Sequence, residues 1–160
     1  MNIIKVGMAD LQVGKHPCMI TTLGLGSCVG ISLYDKTAKI VGMAHIMLPS
    51  SKQARDNTNI AKFADTGIIE LYNQMMKTGA NRYGLTAKIA GGAQMFMFNN
   101  LSDVMKIGER NVEATKEILA LLKIPVLSED VRGNYGRTIE FYSDDGRLFI
   151  KTIGHGTNTI

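Results

Sequence analysis

Residues 29–47 read VGISLYDKTAKIVGMAHIM, and their spacing decides the fold. Val29, Ile31 and Leu33 alternate with Gly30, Ser32 and Tyr34, the two-residue period of a strand. After a turn at Asp35–Ala38 the apolar pattern resumes over Lys39–Met47, so the two runs are expected to pair as a hairpin. Just upstream, TLGLGSCVG (residues 22–30) loosely resembles a phosphate-cradling turn. Such a turn needs a helix immediately afterwards, with its N-terminus facing the phosphate. A strand follows here instead. No βαβ unit is expected, and nucleotide binding is not supported.

Working outward, Met19–Leu23 is a short apolar run and Pro49–Asn59 is a polar loop. Ile60, Phe63, Ala64, Ile68, Leu71 and Met75 recur at helical spacing, predicting a helix over 60–77 that Gly79 stops. Thr86–Ala90 reads as a buried strand feeding Gly91–Gly92, and Asn111–Lys123 as a second helix closed by Pro125. Arg137–Tyr142 and Arg147–Ile153 flank Ser143-Asp144-Asp145-Gly146, a good hairpin turn. Many strands and two or three helices without strict alternation predict an α+β fold. The expected form is a layered α/β/β sandwich of mixed, largely antiparallel sheets with two or three helices on one side. At 160 residues, 1–160 is expected to be a single domain with a core that needs no disulfide or metal.

Composition narrows the function classes. The first residues, MNIIKVGMADLQVGKH, lack the apolar segment of a signal peptide, and no apolar run approaches a membrane span. A cytoplasmic protein without membrane insertion is expected. Cys18 and Cys28 are the only cysteines and are expected to be free thiols. With three dispersed histidines they form no usual metal-ligand spacing, so no metal and no cofactor is expected. The net charge of +4 comes from scattered lysines and arginines, and no nucleic-acid module is recognisable. A monomer is the default.

Cys28 is the first candidate for a reactive atom. The flanking glycines let the backbone approach a ligand and leave amide N–H groups to point at it. A thiol needs a base or positive charge nearby to become a nucleophile. In the hairpin, Ala44–His45 returns towards the start of the first strand, near Cys28. The residues alone leave two readings of His45: the base of Cys28, or a half-buried histidine among Met43, Ile46 and Met47. Cys18 neighbours His16, but Pro17 separates them and adjacent strand residues point to opposite faces. Cys18 reads as a small apolar filler.

Several stretches together resemble the chemoreceptor glutamine deamidase (CheD) family of bacterial chemotaxis. They are TTLGLGSCVGISLYD (21–35), KIVGMAHIMLPSS (39–51), KFADTGIIEL (62–71), GGAQMF (91–96), IGERNV (107–112) and DVRGNYGRT (130–138). The resemblance implies a catalytic Cys28 and His45, with Thr22 as the third catalytic residue. It implies hydrolysis of glutamine side chains to glutamate on the helical cytoplasmic region of chemoreceptors. It also implies association with a phosphatase that acts on a phosphorylated response regulator. Arg132 departs from the family pattern, where a glycine is expected, and adds a charge and a side chain.

For such a reaction the N–H groups around Gly26, Ser27 and Cys28 are the expected oxyanion donors. The thioester route would also cleave a methyl ester. Met95-Phe96-Met97-Phe98 offers Phe96 and Phe98 as a partner contact, or equally as core. The functional alternatives are a non-catalytic adaptor that binds the phosphatase and receptors, and an unrelated thiol hydrolase.

Overall fold

The computed structural model describes residues 1–95 and 106–160. In chain order the first strands are β1 (Asn2–Val6), β2 (Asp10–Lys15), β3 (Cys18–Leu25), β4 (Val29–Asp35) and β5 (Ile40–Ile46). Helix α1 (Ala64–Thr78) and strand β6 (Leu85–Gly91) follow. Helix α2 (Ile107–Leu121) leads to β7 (Val126–Val131), β8 (Arg137–Tyr142), β9 (Leu148–Thr152) and β10 (Gly156–Thr159).

The hairpin read from residues 29–47 forms as expected. Val29 lies opposite Ile46, Gly30 opposite His45 and Asp35 opposite Ile40. Its turn is organised by the buried Asp35 carboxylate, which accepts the amides of Thr37 and Ala38 at 3.0 Å and that of Asn81 at 2.7 Å. This one acidic side chain takes up three backbone donors and ties the hairpin to the end of the α1 connection.

The strands form two five-stranded sheets, in the orders β1-β3-β8-β9-β10 and β2-β5-β4-β6-β7. Only β1/β3 and β6/β7 pair in parallel. The α+β fold is therefore mixed and largely antiparallel, with both helices packed on the second sheet. Val29, Ile31 and Leu33 of β4 face Ile68, Leu71, Met75, Val112 and Leu119 of the helices. The alternate residues of β4 and β5 face the first sheet, where Tyr34, Val41 and Met43 meet Ile20, Leu25, Ile139, Phe141 and Ile150. Every residue of β4 and β5 is buried, so this hairpin forms the middle layer.

Two helix boundaries differ from the sequence expectation. Ile60–Lys62 is a 3-10 turn capped by the Asn59 side chain, and Phe63 is extended at φ −114°. Phe63 forms a bridge with Leu48, and the Leu48 carbonyl accepts the Ala64 amide, so α1 starts only there. Its stop is as expected: Gly79 is left-handed and its amide caps Met75 and Met76. Helix α2 starts at Ile107 rather than near Asn111. Gly108 hides this turn in the sequence, yet it lies against the Gly92 and Ala93 carbonyls, where a Cβ would not fit.

The Gly91–Gly92 turn passes close to the hairpin. Gly91 has φ +111°, and a Cβ there would collide with the Cys28 carbonyl oxygen. Gly91→Ala is expected to lower the unfolding free energy by about 2–4 kcal/mol. Urea denaturation checks this, and an unchanged midpoint would contradict the close approach.

Candidate active site

The bulge in β3 sets the site's geometry. Thr22 lies opposite Ile139, but Leu25, not Gly24, lies opposite Arg137. The extra residue pushes Leu23 and Gly24 outward and lets both Thr22 and Leu25 face the space between the sheets. Across that space His45 of β5 is fully buried, and its Nδ1 lies 2.7 Å from Thr22 Oγ1.

The same hydroxyl lies 2.7 Å from the Val6 carbonyl oxygen on β1. A hydroxyl has one proton, and the carbonyl can only accept. Thr22 therefore donates to Val6 and accepts from His45 Nδ1–H, an assignment made from the hydrogen-bond network. In the neutral ring Nε2 then carries a lone pair. It is buried without a hydrogen-bond partner among the described residues. Burial drives the His45 pKa down from 6.5 to about 4.

Cys28 precedes β4 by one residue and shares the inter-sheet cluster. Gly30 is opposite His45, and Cys28 stands two residues before Gly30 at the entry to β4. Burial raises the Cys28 thiol above its ordinary value, with a smaller opposing effect from its own backbone amide. The resting pair is thus a neutral thiol and a neutral imidazole.

Three successive carbonyls hold the Cys28 loop. Gly26 accepts the Ala93 amide at 2.8 Å, Ser27 accepts Asn111 Nδ2 at 2.9 Å, and Cys28 accepts the Gly92 amide at 2.8 Å. The Gly26 amide, expected among the oxyanion donors, is bonded to the Gly24 carbonyl at 3.1 Å. Neither the Ser27 nor the Cys28 amide donates to a backbone carbonyl in the turns and loops of the described residues, and the Cys28 amide acts on its own thiol.

Thr22 and His45 thus meet directly and Cys28 lies in the cluster between the same sheets without a hydrogen bond to His45 Nε2, while Phe96 and Phe98 lie outside the described residues. Cys18 is a buried free thiol whose sulfur packs beneath Gly14, the filler role expected. His16 bonds Ser143 instead of Cys18. Sequence reasoning missed Asn111, Asp130 and Arg137. Arg137 is fully buried, pairs with Asp130 at 3.0 Å and reaches the Gly91 carbonyl, fixing the turn behind Cys28. Arg132 takes φ +71°, a conformation that glycine adopts freely. Its guanidinium binds Glu109 of α2 through two hydrogen bonds, 2.7 and 3.1 Å. The loop thus keeps a glycine-like backbone and gains an exposed tether to the helix.

Residues 47–152 match the family model described as CheD chemotactic sensory transduction. A protein of Caldanaerobacter subterraneus subsp. tengcongensis, named "Probable chemoreceptor glutamine deamidase CheD", is 61% identical over 99% of this chain and 98% of its own. One of the same name from Lachnoclostridium phytofermentans is 59% identical over 95% of this chain and 94% of its own. Among solved structures, hypothetical protein YfiH of Bacillus licheniformis aligns with a TM-score of 0.48 and 17% identity, covering 76% of this chain and 49% of its own. Near-identical length and high identity to the named relatives leave one conclusion: the chain belongs to the CheD family of chemoreceptor glutamine deamidases.

Proposed function

We propose that this chain deamidates glutamine side chains on the cytoplasmic helices of chemoreceptors, with Cys28 as nucleophile, His45 as base and Thr22 as the group that orients His45. The observation that carries this reading is the partnerless, proton-free Nε2 of His45 beside the Cys28 face. Family membership supports the substrate class.

His45 Nε2 takes the Cys28 proton as the sulfur attacks the carboxamide carbon of glutamine. The carbonyl oxygen becomes an oxyanion, for which the Ser27 and Cys28 amides are the available donors. Collapse breaks the C–N bond, and imidazolium Nε2–H gives its proton to the departing ammonia. A thioester remains. Water, deprotonated by His45, attacks it, and C–S cleavage releases glutamate and restores the thiol. A receptor methyl ester would enter by the same first step, with methanol leaving in place of ammonia.

Among the described residues no carboxylate hydrogen-bonds His45. The Thr22 hydroxyl fixes the tautomer and ring plane while stabilising imidazolium less than an anion would. A neutral resting pair suits this arrangement, because a thiolate–imidazolium pair would be costly to maintain in a buried space. Binding of the chemotaxis phosphatase is a further part of the proposal, and the non-catalytic adaptor remains its counter-reading.

Incubating receptor cytoplasmic fragments with the protein should convert discrete glutamines to glutamate, read by peptide mass spectrometry. Cys28→Ala and His45→Gln should abolish conversion. Conversion surviving in either variant would remove that residue from the mechanism, and an inactive, folded wild type on several receptors would favour the adaptor. Thr22→Val should lower kcat by about 10- to 100-fold while leaving measurable turnover. Wild-type turnover would sink the orienting role.

The buried neutral His45 also couples folding to pH. Its folded pKa of about 4 lies below the ordinary 6.5, so the contribution is fully present above pH 6.5 and is lost as pH falls through 4. The size is about 3 kcal/mol. Denaturation across this window should show stability falling with acid, with a shallower slope in His45→Gln. Equal slopes would contradict the depressed pKa.

A further inference from the structure

Helix α2 buries Gly108, Asn111, Val112, Thr115 and Leu119, and within this otherwise small or apolar face Asn111 is fully buried. Its Nδ2 donates to two carbonyls: Ser27 at 2.9 Å and Met47 at 3.0 Å. Ser27 immediately precedes Cys28, and Met47 is two residues beyond His45. One amide group therefore joins the nucleophile's loop to the end of the strand that carries the base. Its Oδ1 is buried without a hydrogen-bond partner, so this placement costs energy that packing alone does not explain.

We propose that Asn111 is a positioning residue for the deamidation: by holding the Ser27 and Met47 carbonyls it aims the Cys28 amide at the oxyanion and fixes Cys28 against His45. The inference rests on the Cys28–His45 reading above. The physical step is peptide planarity. In a trans peptide the C=O and N–H point in opposite directions. With the Ser27 carbonyl drawn towards α2, the Cys28 N–H of that same peptide must point away from it. The influence of this N–H on the Cys28 thiol is consistent with an amide turned to the sulfur's side. The Ala93 bond to the Gly26 carbonyl orients the Ser27 N–H by the same rule, so the donors are set by carbonyls pinned on the opposite side.

Asn111→Ala removes both bonds, and Asn111→Asp sets a carboxylate against two carbonyls. Each should lower kcat about 100-fold, the scale of losing an oxyanion donor. Because the substrate's own contacts are untouched, KM should stay within about two-fold. The pH profile of Cys28 alkylation by iodoacetamide, recorded well below the melting temperature, should also move in both variants. A purely structural Asn111 would lower the melting temperature and leave kcat and that profile unchanged, which overturns the proposal.

A second test needs no variant. A receptor peptide with an aldehyde replacing the glutamine carboxamide adds the Cys28 sulfur to form a hemithioacetal, whose oxygen occupies the oxyanion position. The Cys28 amide proton should then shift strongly downfield in the NMR spectrum of the wild-type protein, and an unmoved resonance overturns the proposal even if both variants fail to fold. Cys28→Ala separates the two claims. If it stays active, the underlying deamidase reading fails, whereas inactive Cys28→Ala beside normal Asn111 variants rejects Asn111 alone.

Discussion

The site depends on one hydroxyl shared between two sheets. Thr22 stands on β3 of the first sheet and gives its proton to Val6 on the adjoining β1. It receives the Nδ1 proton of His45, which belongs to the second sheet. The tautomer of His45 is therefore fixed by how the two sheets pack. That packing comes from Ile20, Leu25, Met43, Ile139, Phe141 and Ile150, all essentially inaccessible to water. A close-packed interior resists small displacements, so hydrophobic burial in this layer holds the polar geometry.

The burial that gives precision also determines the charge state. His45 is fully buried and Cys28 is only 7% exposed, and each is pushed towards its neutral form. A carboxylate in the place of Thr22 would polarise the imidazole more strongly, but would bury a charge between the sheets. A hydroxyl bonded to a main-chain carbonyl orients the ring without that cost. In the proposed mechanism proton transfer is then coupled to attack on the substrate, and a neutral thiol is a weak nucleophile until that step.

Much of this was legible in the sequence. The alternating pattern gave the β4–β5 hairpin, and the direction of its return placed His45 at the start of β4, opposite Gly30. The strands without individual signals were β1, β2, β7 and β10, which are the edges of the two sheets. Edge strands bury little, as the fully exposed β10 illustrates, so they need no apolar alternation. Helix α1 starts late because Phe63 is recruited to bridge Leu48, a contact between residues distant in sequence. The Val6 carbonyl could not be found from side-chain identities, since a backbone group leaves no mark in the sequence. Asn111 did leave one: an asparagine beside Val112 on the inner face of a helix is a polar residue at a core position. Arg132 carries a warning about pattern matching, for it stands where the sequence reading expected a glycine and adopts a left-handed backbone that glycine takes freely.

The most direct test of this account is the protonation state of the His45 ring, read from its two nitrogen-15 resonances at neutral pH. The shared Thr22 hydroxyl requires Nδ1 to be protonated and Nε2 to be bare, with no change until the pH approaches 4. A proton on Nε2, or an imidazolium at neutral pH, would contradict it.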